Sequence, residues 1–260
     1  MPLRSEDRCV AARPSERSLA GTRAENNQLI RLDRTFWPAL ALLLGVLVLF
    51  ELSSFDIALQ DLFFDFEAGR WAVDNAASGP RFWFYDGPKV LIIATGVTLI
   101  VLACGPSHWR RYVDRRAIFV VVATLASVPA VIGLGKATTN IFCPSEIRRY
   151  GGDVPYVRLC EPYPDGDRPQ RQGRCFPAGH ASGGFALLSL AGLARTRRGQ
   201  KVGLAIGFVA GGAMGIYQMV KGAHYLSHTL VTMLTAWWLF LLWRRLLRVR
   251  RVESTLAGTN

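Results

Sequence analysis

Residues 202–243 read VGLAIGFVAGGAMGIYQMVKGAHYLSHTLVTMLTAWWLFLLW, two apolar runs joined by four residues. The runs Val202–Val220 and Tyr225–Trp243 are long enough to be membrane helices, because a helix needs about 17–25 such residues to cross a bilayer. Neither run has the pattern of a coiled coil or of an ordinary core helix. The stretch therefore predicts a membrane protein whose residues 221–224 lie at one membrane surface.

Four more runs are apolar enough to cross a bilayer, although one of them is short and another is interrupted by glycines. They are Phe36–Leu52, Val90–Cys104, Ala117–Leu134 and Phe176–Ala194. We therefore predict an all-α, polytopic membrane protein in which six transmembrane helices form a bundle over residues 36–243. Residues 1–35 are predicted to be a disordered basic cytoplasmic arm, and residues 244–260 a basic cytoplasmic tail.

The composition excludes the class of protein that a basic chain first suggests. The formal net charge of +12 would be typical of a nucleic-acid-binding protein. However, half of the residues are hydrophobic and 19% are charged, so the chain is too apolar for a disordered basic tail. We expect the lipid bilayer as a partner, and no nucleic acid.

The positive charge is concentrated in residues 1–35, 105–116, 195–201 and the tail after Trp243. These segments hold 20 of the 31 basic residues and 7 of the 19 acidic ones, a net charge of +13 against −1 for the rest. Cytoplasmic loops of membrane proteins carry the excess of Lys and Arg. We therefore predict a multi-pass protein of a bacterial cytoplasmic (inner) membrane, with both termini cytoplasmic and the opposite face towards the periplasm or outside.

The first long segment on the outer face, residues 53–85, has a helical apolar pattern. The apolar residues follow an i, i+4, i+7, i+8, i+11 spacing, at Phe55, Leu59, Leu62, Phe63 and Phe66. This spacing predicts an amphipathic helix on the membrane surface. The aromatic run Phe82–Tyr85 follows, and such residues anchor membrane proteins at the interface.

The second outer segment, residues 136–176, is rich in Pro and Gly and too polar to be embedded. It contains Cys143, Cys160 and Cys175. Three thiols in an oxidising compartment allow one disulfide and one free cysteine. The residues alone leave all three pairings open.

Three histidines and a lysine lie at the outer ends of the predicted spans. His180 opens a helix after a Pro-Ala-Gly turn, where free backbone N–H groups favour an anion. His224 and His228 are four residues apart, so on a helix they would share a face. Lys136 ends the third span. Ionisable residues at such positions are costly and usually functional.

The order and spacing of these residues resemble three motifs of the type 2 phosphatidic acid phosphatases, a family of integral-membrane lipid phosphate phosphatases. The first, Lys, six residues, Arg-Pro, corresponds to Lys136 and Cys143-Pro144. The second, Pro-Ser-Gly-His, corresponds to residues 177–180. The third, Ser-Arg, five residues, His, three residues, Asp, corresponds to Tyr217-Gln218, His224 and His228. The resemblance covers residues from about 88 to 243. It rests on the order of the three motifs as well as on the spacing within them.

The resemblance implies a chemistry and a set of roles. His224 would be the nucleophile that forms a phosphohistidine, and His180 the general acid that protonates the leaving oxygen. Lys136 would hold the phosphoryl oxygens with the segment Ala178–His180. No metal and no cofactor are implied, and the substrate would be a membrane lipid phosphate monoester or diphosphate. Convergence of the motif loops on one site favours a Cys143–Cys175 disulfide.

Four motif positions depart from the family pattern, at Cys143, Ala178, Gln218 and His228. Two arginines are lost, so we expect other cations to neutralise the phosphoryl oxygens. The candidates are Lys221, Arg148, Arg149 and Arg174. His228 replaces a carboxylate; it would orient His224 without contributing negative charge, which predicts a slower enzyme unless Glu146 or Asp153 supplies the carboxylate.

Other functions are compatible with the same residues. His180, His224 and His228 have the spacing of three zinc ligands, although this would leave Lys136 unexplained. The histidine pair would also fit a structural role at the interface. A membrane scaffold or lipid-phosphate-binding protein without turnover is a further alternative, and a phosphotransferase would use the same residues as a hydrolase.

Overall fold

The computed structural model describes residues 32–74, 78–105 and 114–256, which form a helical bundle. The α-helices are α1 Phe36–Leu52, α2 Phe55–Gln60, α3 Ser78–Arg81, α4 Gly87–Cys104, α5 Arg115–Thr138, α6 Gly179–Ala186, α7 Arg197–Val220 and α8 Leu226–Leu256. A π-helical turn, Phe82–Asp86, joins α3 to α4. Short 3₁₀ helices cover Leu32–Thr35, Asp61–Phe63, Pro144–Glu146, Arg148–Tyr150 and Leu187–Gly192. A two-residue hairpin pairs β1, Phe64–Asp65, with antiparallel β2, Arg70–Trp71.

The predicted all-α membrane fold is confirmed, but the count of six spans is not. Within the described ranges, five helical segments are long and apolar enough to cross a membrane, namely Leu32–Leu52, Gly79–Cys104, Arg115–Thr138, Arg197–Val220 and Leu226–Leu247. The run Phe176–Ala194 instead forms the eight-residue α6 and a six-residue 3₁₀ helix. Together these extend for about 24 Å, which is less than the roughly 30 Å of a bilayer core.

The segment from α6 to Gly192 is short because protein, and not lipid, surrounds it. Gly184 lies against the backbone of Gly211, where an added Cβ would come within 2.7 Å. Similar close approaches bring Gly203 and Gly207 of α7 against Ala191 and Leu188. Small residues at such positions allow helix backbones to approach closely. The segment therefore forms the centre of the bundle, where its apolar side chains pack between α5, α7 and α8.

Helical structure extends beyond both ends of the predicted membrane domain, residues 36–243. Residues 32–35, predicted as part of the disordered arm, form a 3₁₀ helix in which Leu32 packs against Phe240. Asp33 accepts a hydrogen bond from Arg244 at 3.1 Å, which ties this segment to α8. Residues 1–31 lie outside the described residues. At the other end, α8 continues through the predicted tail as far as Leu256.

The outer amphipathic helix is shorter than its apolar spacing predicts, and the chain turns at Asp65. The Asp65 side chain accepts hydrogen bonds from the backbone N–H groups of Glu67 and Ala68, and Gly69 follows with φ +62°. This local turn chemistry ends the helical segment before Phe66. In α2 the polar residues Asp56 and Gln60 are buried, whereas Phe55 is 59% exposed. The apolar face therefore points away from the protein, as expected for a helix lying on lipid.

We predict that adding a methyl group at Gly207 destabilises the bundle. A Cβ there would overlap the Leu188 backbone nitrogen, so Gly207→Ala should lower the free energy of unfolding by about 1–3 kcal/mol. Gly212, on the same helix, faces open space, because no atom lies within 4 Å of the place that a Cβ would take. Gly212→Ala is therefore the matched control. Thermal unfolding in detergent, followed by circular dichroism, measures both. Equal midpoints for the two variants would contradict the close packing of the 3₁₀ helix Leu187–Gly192 against α7.

Candidate functional site

The three predicted histidines form a chain of contacts. Nδ1 of His180 lies 3.2 Å from Nε2 of His224, and Nδ1 of His224 lies 3.4 Å from Nδ1 of His228. His180 belongs to the first turn of α6, and His228 to the first turn of α8. His224 precedes α8, so the two histidines four residues apart do not share a helix face as predicted. They meet because the turn before α8 directs His224 back towards its neighbour.

The turn that presents His224 depends on Gly222. α7 ends there with φ +73° at Gly222, and the N–H groups of Ala223 and His224 both donate to the Gln218 carbonyl. A left-handed residue in this place is a common helix ending, and glycine adopts it without strain. The Trp71 ring also lies against Gly222, where it would collide with a Cβ. Both constraints require glycine at position 222.

His224 is enclosed by protein. It is 1% exposed, and burial, with the charges of its neighbours, lowers the pKa of its imidazole well below 6.5. The ring is therefore neutral at physiological pH, and one nitrogen carries a lone pair. Its Nδ1 also lies 3.3 Å from Sγ of Cys175, which is joined to Cys143 in the expected disulfide.

A cavity of about 600 Å³ opens beside His180. Its polar end is formed by Lys136, Gly179 and His180, together with Lys89 of α4 and Tyr85 of the π-helical turn before it. The remaining lining is apolar and comes from α4, α5, α6 and α7; it includes Ile93, Val97, Ile100, Val122, Leu125 and Met214. The cavity therefore has the polarity of an amphiphile, with cations at one end and hydrocarbon along its length.

The predicted phosphate-binding segment contributes unequally to this cavity. The Lys136 side chain passes so close to Gly179 that a Cβ there would lie 2.9 Å from Lys136 Cε, which explains the glycine of the motif. Ala178 is fully buried, and its N–H donates to the His228 carbonyl at 3.2 Å. The Ala178 N–H is therefore not free to bind a phosphoryl oxygen in this arrangement.

The substitute arginines predicted from sequence lie elsewhere. Arg148 pairs with Asp167, and Arg149 pairs with Asp61 at 2.7 Å. Arg174 is exposed and does not line the cavity. Each of the two paired arginines already has a carboxylate partner, so we assign none of the three to the site.

The expected replacement carboxylates are also engaged away from the histidines. Glu146 and Asp153 both pair with Arg171, and Glu146 also accepts the Cys143 N–H at 2.8 Å. The predicted role of Glu146 or Asp153 beside His224 is therefore wrong. Lys221 does remain near the site, because its positive charge contributes to the lowered pKa of His224.

Three residues at or near the site were missed from sequence. Tyr85 packs its ring 4.9 Å from the His180 ring, and Lys89 lines the polar end of the cavity. Lys89 had a detectable signal, since it is the charged residue directly before the apolar run Val90–Cys104. Asp56 is buried and lines a small cavity together with His228. Its sequence signal was weaker, because it is only an acidic residue within an apolar helical pattern.

The nitrogen geometry does not fit a three-histidine metal centre. His224 presents Nε2 to His180 and Nδ1 to His228. A metal ion bound by three histidines takes one nitrogen from each ring, so these rings are not arranged around one ion. Cys143, Cys175 and His224 place ligand-type atoms within 4.8 Å of one another, but the two sulfurs form a disulfide and are not thiolates.

Comparison with known proteins identified one family. The sequence model described as PAP2 superfamily matches residues 117–251 of the 260. The matched region begins in α5 and ends in α8, so it includes Lys136 and all three histidines of the site. Neither the curated proteins nor the solved structures gave a match.

Proposed function

The chain belongs to the PAP2 superfamily, whose members are generally phosphatases, and we propose that it removes phosphate from a membrane lipid through a phosphohistidine on His224. One observation carries the proposal: the contact between His180 and His224 lies at the cationic end of an otherwise apolar cavity. A soluble phosphate ester would need no such apolar lining.

The dimensions of the cavity support a lipid substrate. Lys89 and Ile100 both line it, and their positions on α4 are about 16 Å apart along the helix axis. A phosphoryl group bound between Lys89 and Lys136 would leave that length of apolar wall for a hydrocarbon chain. Burying apolar surface contributes roughly 25 cal/mol per Å², so such a chain would supply most of the binding energy.

The proposed reaction uses the two nitrogens that face each other. Burial and the nearby lysines lower the pKa of His180 to about 4 in the ligand-free site, and the negative charge of a bound phosphate would raise that pKa, so that His180 takes up a proton when substrate binds. Nε2 of His224 then attacks phosphorus, the bond to the lipid oxygen breaks, and the proton from His180 goes to that oxygen. Water then attacks the phosphohistidine, and His180 takes a proton from this water. Lys136, Lys89 and the N–H groups at the start of α6 neutralise the phosphoryl oxygens.

This reaction requires the His180 ring to move when substrate binds. The 3.2 Å between Nδ1 of His180 and Nε2 of His224 leaves no space for a phosphorus atom between them. His180 lines the cavity and His224 lies behind it, so rotation of His180 would expose the nucleophile. Catalytic contacts in a ligand-free site commonly differ from those of the substrate complex.

We place the site on the outer face of a bacterial cytoplasmic membrane. Asp33 and Arg244 meet at the end of the bundle opposite the histidines, and α5 and α7 begin at that end with Arg115 and Arg197. The Cys143–Cys175 disulfide beside His224 supports the same orientation, since disulfides persist in oxidising compartments.

The principal test is phosphate release by the purified protein from phosphatidate, phosphatidylglycerophosphate and farnesyl diphosphate in detergent micelles. His224→Ala should lower kcat by at least about 10³-fold, because it removes the nucleophile. His180→Ala should lower it by about 10²- to 10⁴-fold through loss of proton transfer. His108→Ala is the matched control, because His108 lies in the segment 105–116 that is predicted to be cytoplasmic, and it should behave as the wild type.

Each outcome of this test has a defined meaning. Activity should persist in strong chelator, since no residue is assigned to a metal. If the wild type releases no phosphate from any of these lipids, the hydrolase proposal is overturned and lipid-phosphate binding without turnover becomes the better explanation. If phosphate passes to a second lipid instead of water, the protein is a phosphotransferase that uses the same histidines.

We predict that His228→Asp raises kcat by at least about tenfold, because a carboxylate beside His224 stabilises its cationic form. An Asp oxygen stands one bond beyond Cγ, as Nδ1 of histidine does, so it would occupy the position 3.4 Å from Nδ1 of His224. Thermal stability should fall, since the new carboxylate is buried. Steady-state kinetics and thermal unfolding measure the two effects; a large fall in kcat would show that the histidine has its own role.

Narrowing the apolar part of the cavity should discriminate against lipids. Ala126 lines the cavity, so Ala126→Phe should lower kcat/KM for dipalmitoyl phosphatidate by about tenfold or more and leave hydrolysis of p-nitrophenyl phosphate unchanged. Ala130→Phe is the matched control, because Ala130 is exposed on the same helix and does not line the cavity. An equal loss with both substrates would argue against a lipid chain in this space.

A further inference from the structure

A carboxylate is buried behind the histidine chain. Asp56 of α2 is 7% exposed and is the one buried acidic residue among the side chains that the structure describes. One of its oxygens accepts the Ser227 N–H at 2.9 Å, and the other accepts the Ser227 hydroxyl at 2.5 Å. Ser227 precedes His228 in the first turn of α8, where the helix dipole stabilises a negative charge.

Asp56 and His228 line the same small cavity. It lies between α1, α2, α8 and the outer loop and has a volume of about 40 Å³, enough for a few water molecules. Tyr225 and Arg158 line it as well, and the Tyr225 hydroxyl and the Arg158 Nε are buried without a hydrogen-bond partner among the described residues. Buried polar atoms of this kind are usually satisfied by ordered water.

We propose that Asp56 supplies the negative charge that the histidine chain lacks, as a positioning residue that acts electrostatically on His224 through His228 across this cavity. The inference rests on the proposed function, because it concerns how His224 becomes a nucleophile. Asp56 has no direct contact with the phosphoryl group in this scheme.

The charge balance of the reaction gives Asp56 its role. When Nε2 of His224 bonds to phosphorus, the His224 ring becomes cationic and its Nδ1 proton is shared with Nδ1 of His228. The bond between the phosphorus and the lipid oxygen breaks, and the positive charge remains on the pair of imidazoles. The Asp56 carboxylate stabilises that charge across the cavity, while the His228 ring also bonds to the Cys175 backbone. Hydrolysis of the phosphohistidine returns both imidazoles to neutrality.

The charge on Asp56 is within reach of ordinary pH. Burial raises the pKa of its carboxyl to about 6, so the carboxylate forms above that pH and is lost below it. The other titratable groups around the cavity are Glu51, Tyr156, Arg158, Tyr225 and His228. Burial raises the pKa of both tyrosines, to about 12 for Tyr156, so neither titrates near neutrality.

The test compares Asp56→Asn with Asp61→Asn, using phosphatidate in detergent micelles. The asparagine at position 56 keeps the shape and an acceptor for Ser227 but removes the charge, so kcat should fall by about 10- to 100-fold with KM little changed. The acidic limb of the wild-type kcat–pH profile, near pH 6, should disappear. Asp61 pairs with Arg149 away from the site, so its variant should keep the wild-type kcat and profile.

A double-mutant cycle separates positioning from a structural role. In the His228→Asp background a carboxylate already lies beside His224, so adding Asp56→Asn should change kcat little. If Asp56→Asn lowers kcat by the same factor in both backgrounds, Asp56 has only a structural role and the proposal is overturned. Wild-type kcat and pH profile in Asp56→Asn would also overturn it, whereas an inactive wild type would overturn the proposed function itself.

A further variant covers a failure of Asp56→Asn to fold. Asp56→Glu keeps the charge and displaces the carboxylate by one methylene towards the cavity. The acidic limb of the kcat–pH profile should therefore move to a different pH. The kcat of this variant should remain above that of Asp56→Asn. If the acidic limb stays at the wild-type pH, the Asp56 carboxylate does not supply the negative charge that acts on the histidines.

Discussion

The close approach of α6 to α7 is the constraint on which the rest of the site depends. No side chain separates Gly184 from Gly211, and Gly207 lets the backbone at Leu188 rest against α7. A segment that divides into a short α-helix and a 3₁₀ helix is thereby held at the centre of the bundle. Its first turn presents His180 to His224, and Gly179 leaves space for Lys136. The catalytic geometry therefore depends on missing side chains as much as on those present.

The sequence predicted the fold class because hydropathy measures how long an apolar run is. The run Phe36–Leu52 matches α1 at both ends. Hydropathy does not distinguish a helix covered by lipid from one covered by protein, so it did not show that neighbouring helices enclose the run Phe176–Ala194 or that this run divides into an α-helix and a 3₁₀ helix. The same ambiguity affects α2. The period of its apolar residues is visible in the sequence, but this period does not show which face of the helix meets the protein. Which face meets the protein is decided by Ser227, 171 residues away from Asp56.

The site could be predicted where motif spacing is anchored to the ends of helices. Lys136, His180, His224 and His228 each lie within a turn of a helix end, so short-range sequence order brings them to one face. The cations could not be assigned in this way. Arg149 is occupied by Asp61, 88 residues away, and such pairing leaves no local pattern. Lys89 enters the site because α4 packs beside α5 and α6, which its isolated position in the sequence does not reveal.

The substitutions at motif positions 143, 218 and 228 have a common physical explanation, which is the free-energy cost of burying a charged side chain. Cys143 replaces an arginine and bonds to Cys175, whose sulfur touches His224, so a phosphate ligand has become a structural link. Gln218, 1% exposed, replaces the second arginine.

With both guanidinium groups gone, a carboxylate at position 228 would be buried with less positive charge around it, and an unpaired buried charge is expensive. A neutral histidine avoids that cost. Asp56 is placed where the first turn of α8 donates two hydrogen bonds to its carboxylate and the helix dipole favours the negative charge. The proposed role of Asp56 therefore places the negative charge behind the histidine chain, where Ser227 and the first turn of α8 stabilise it.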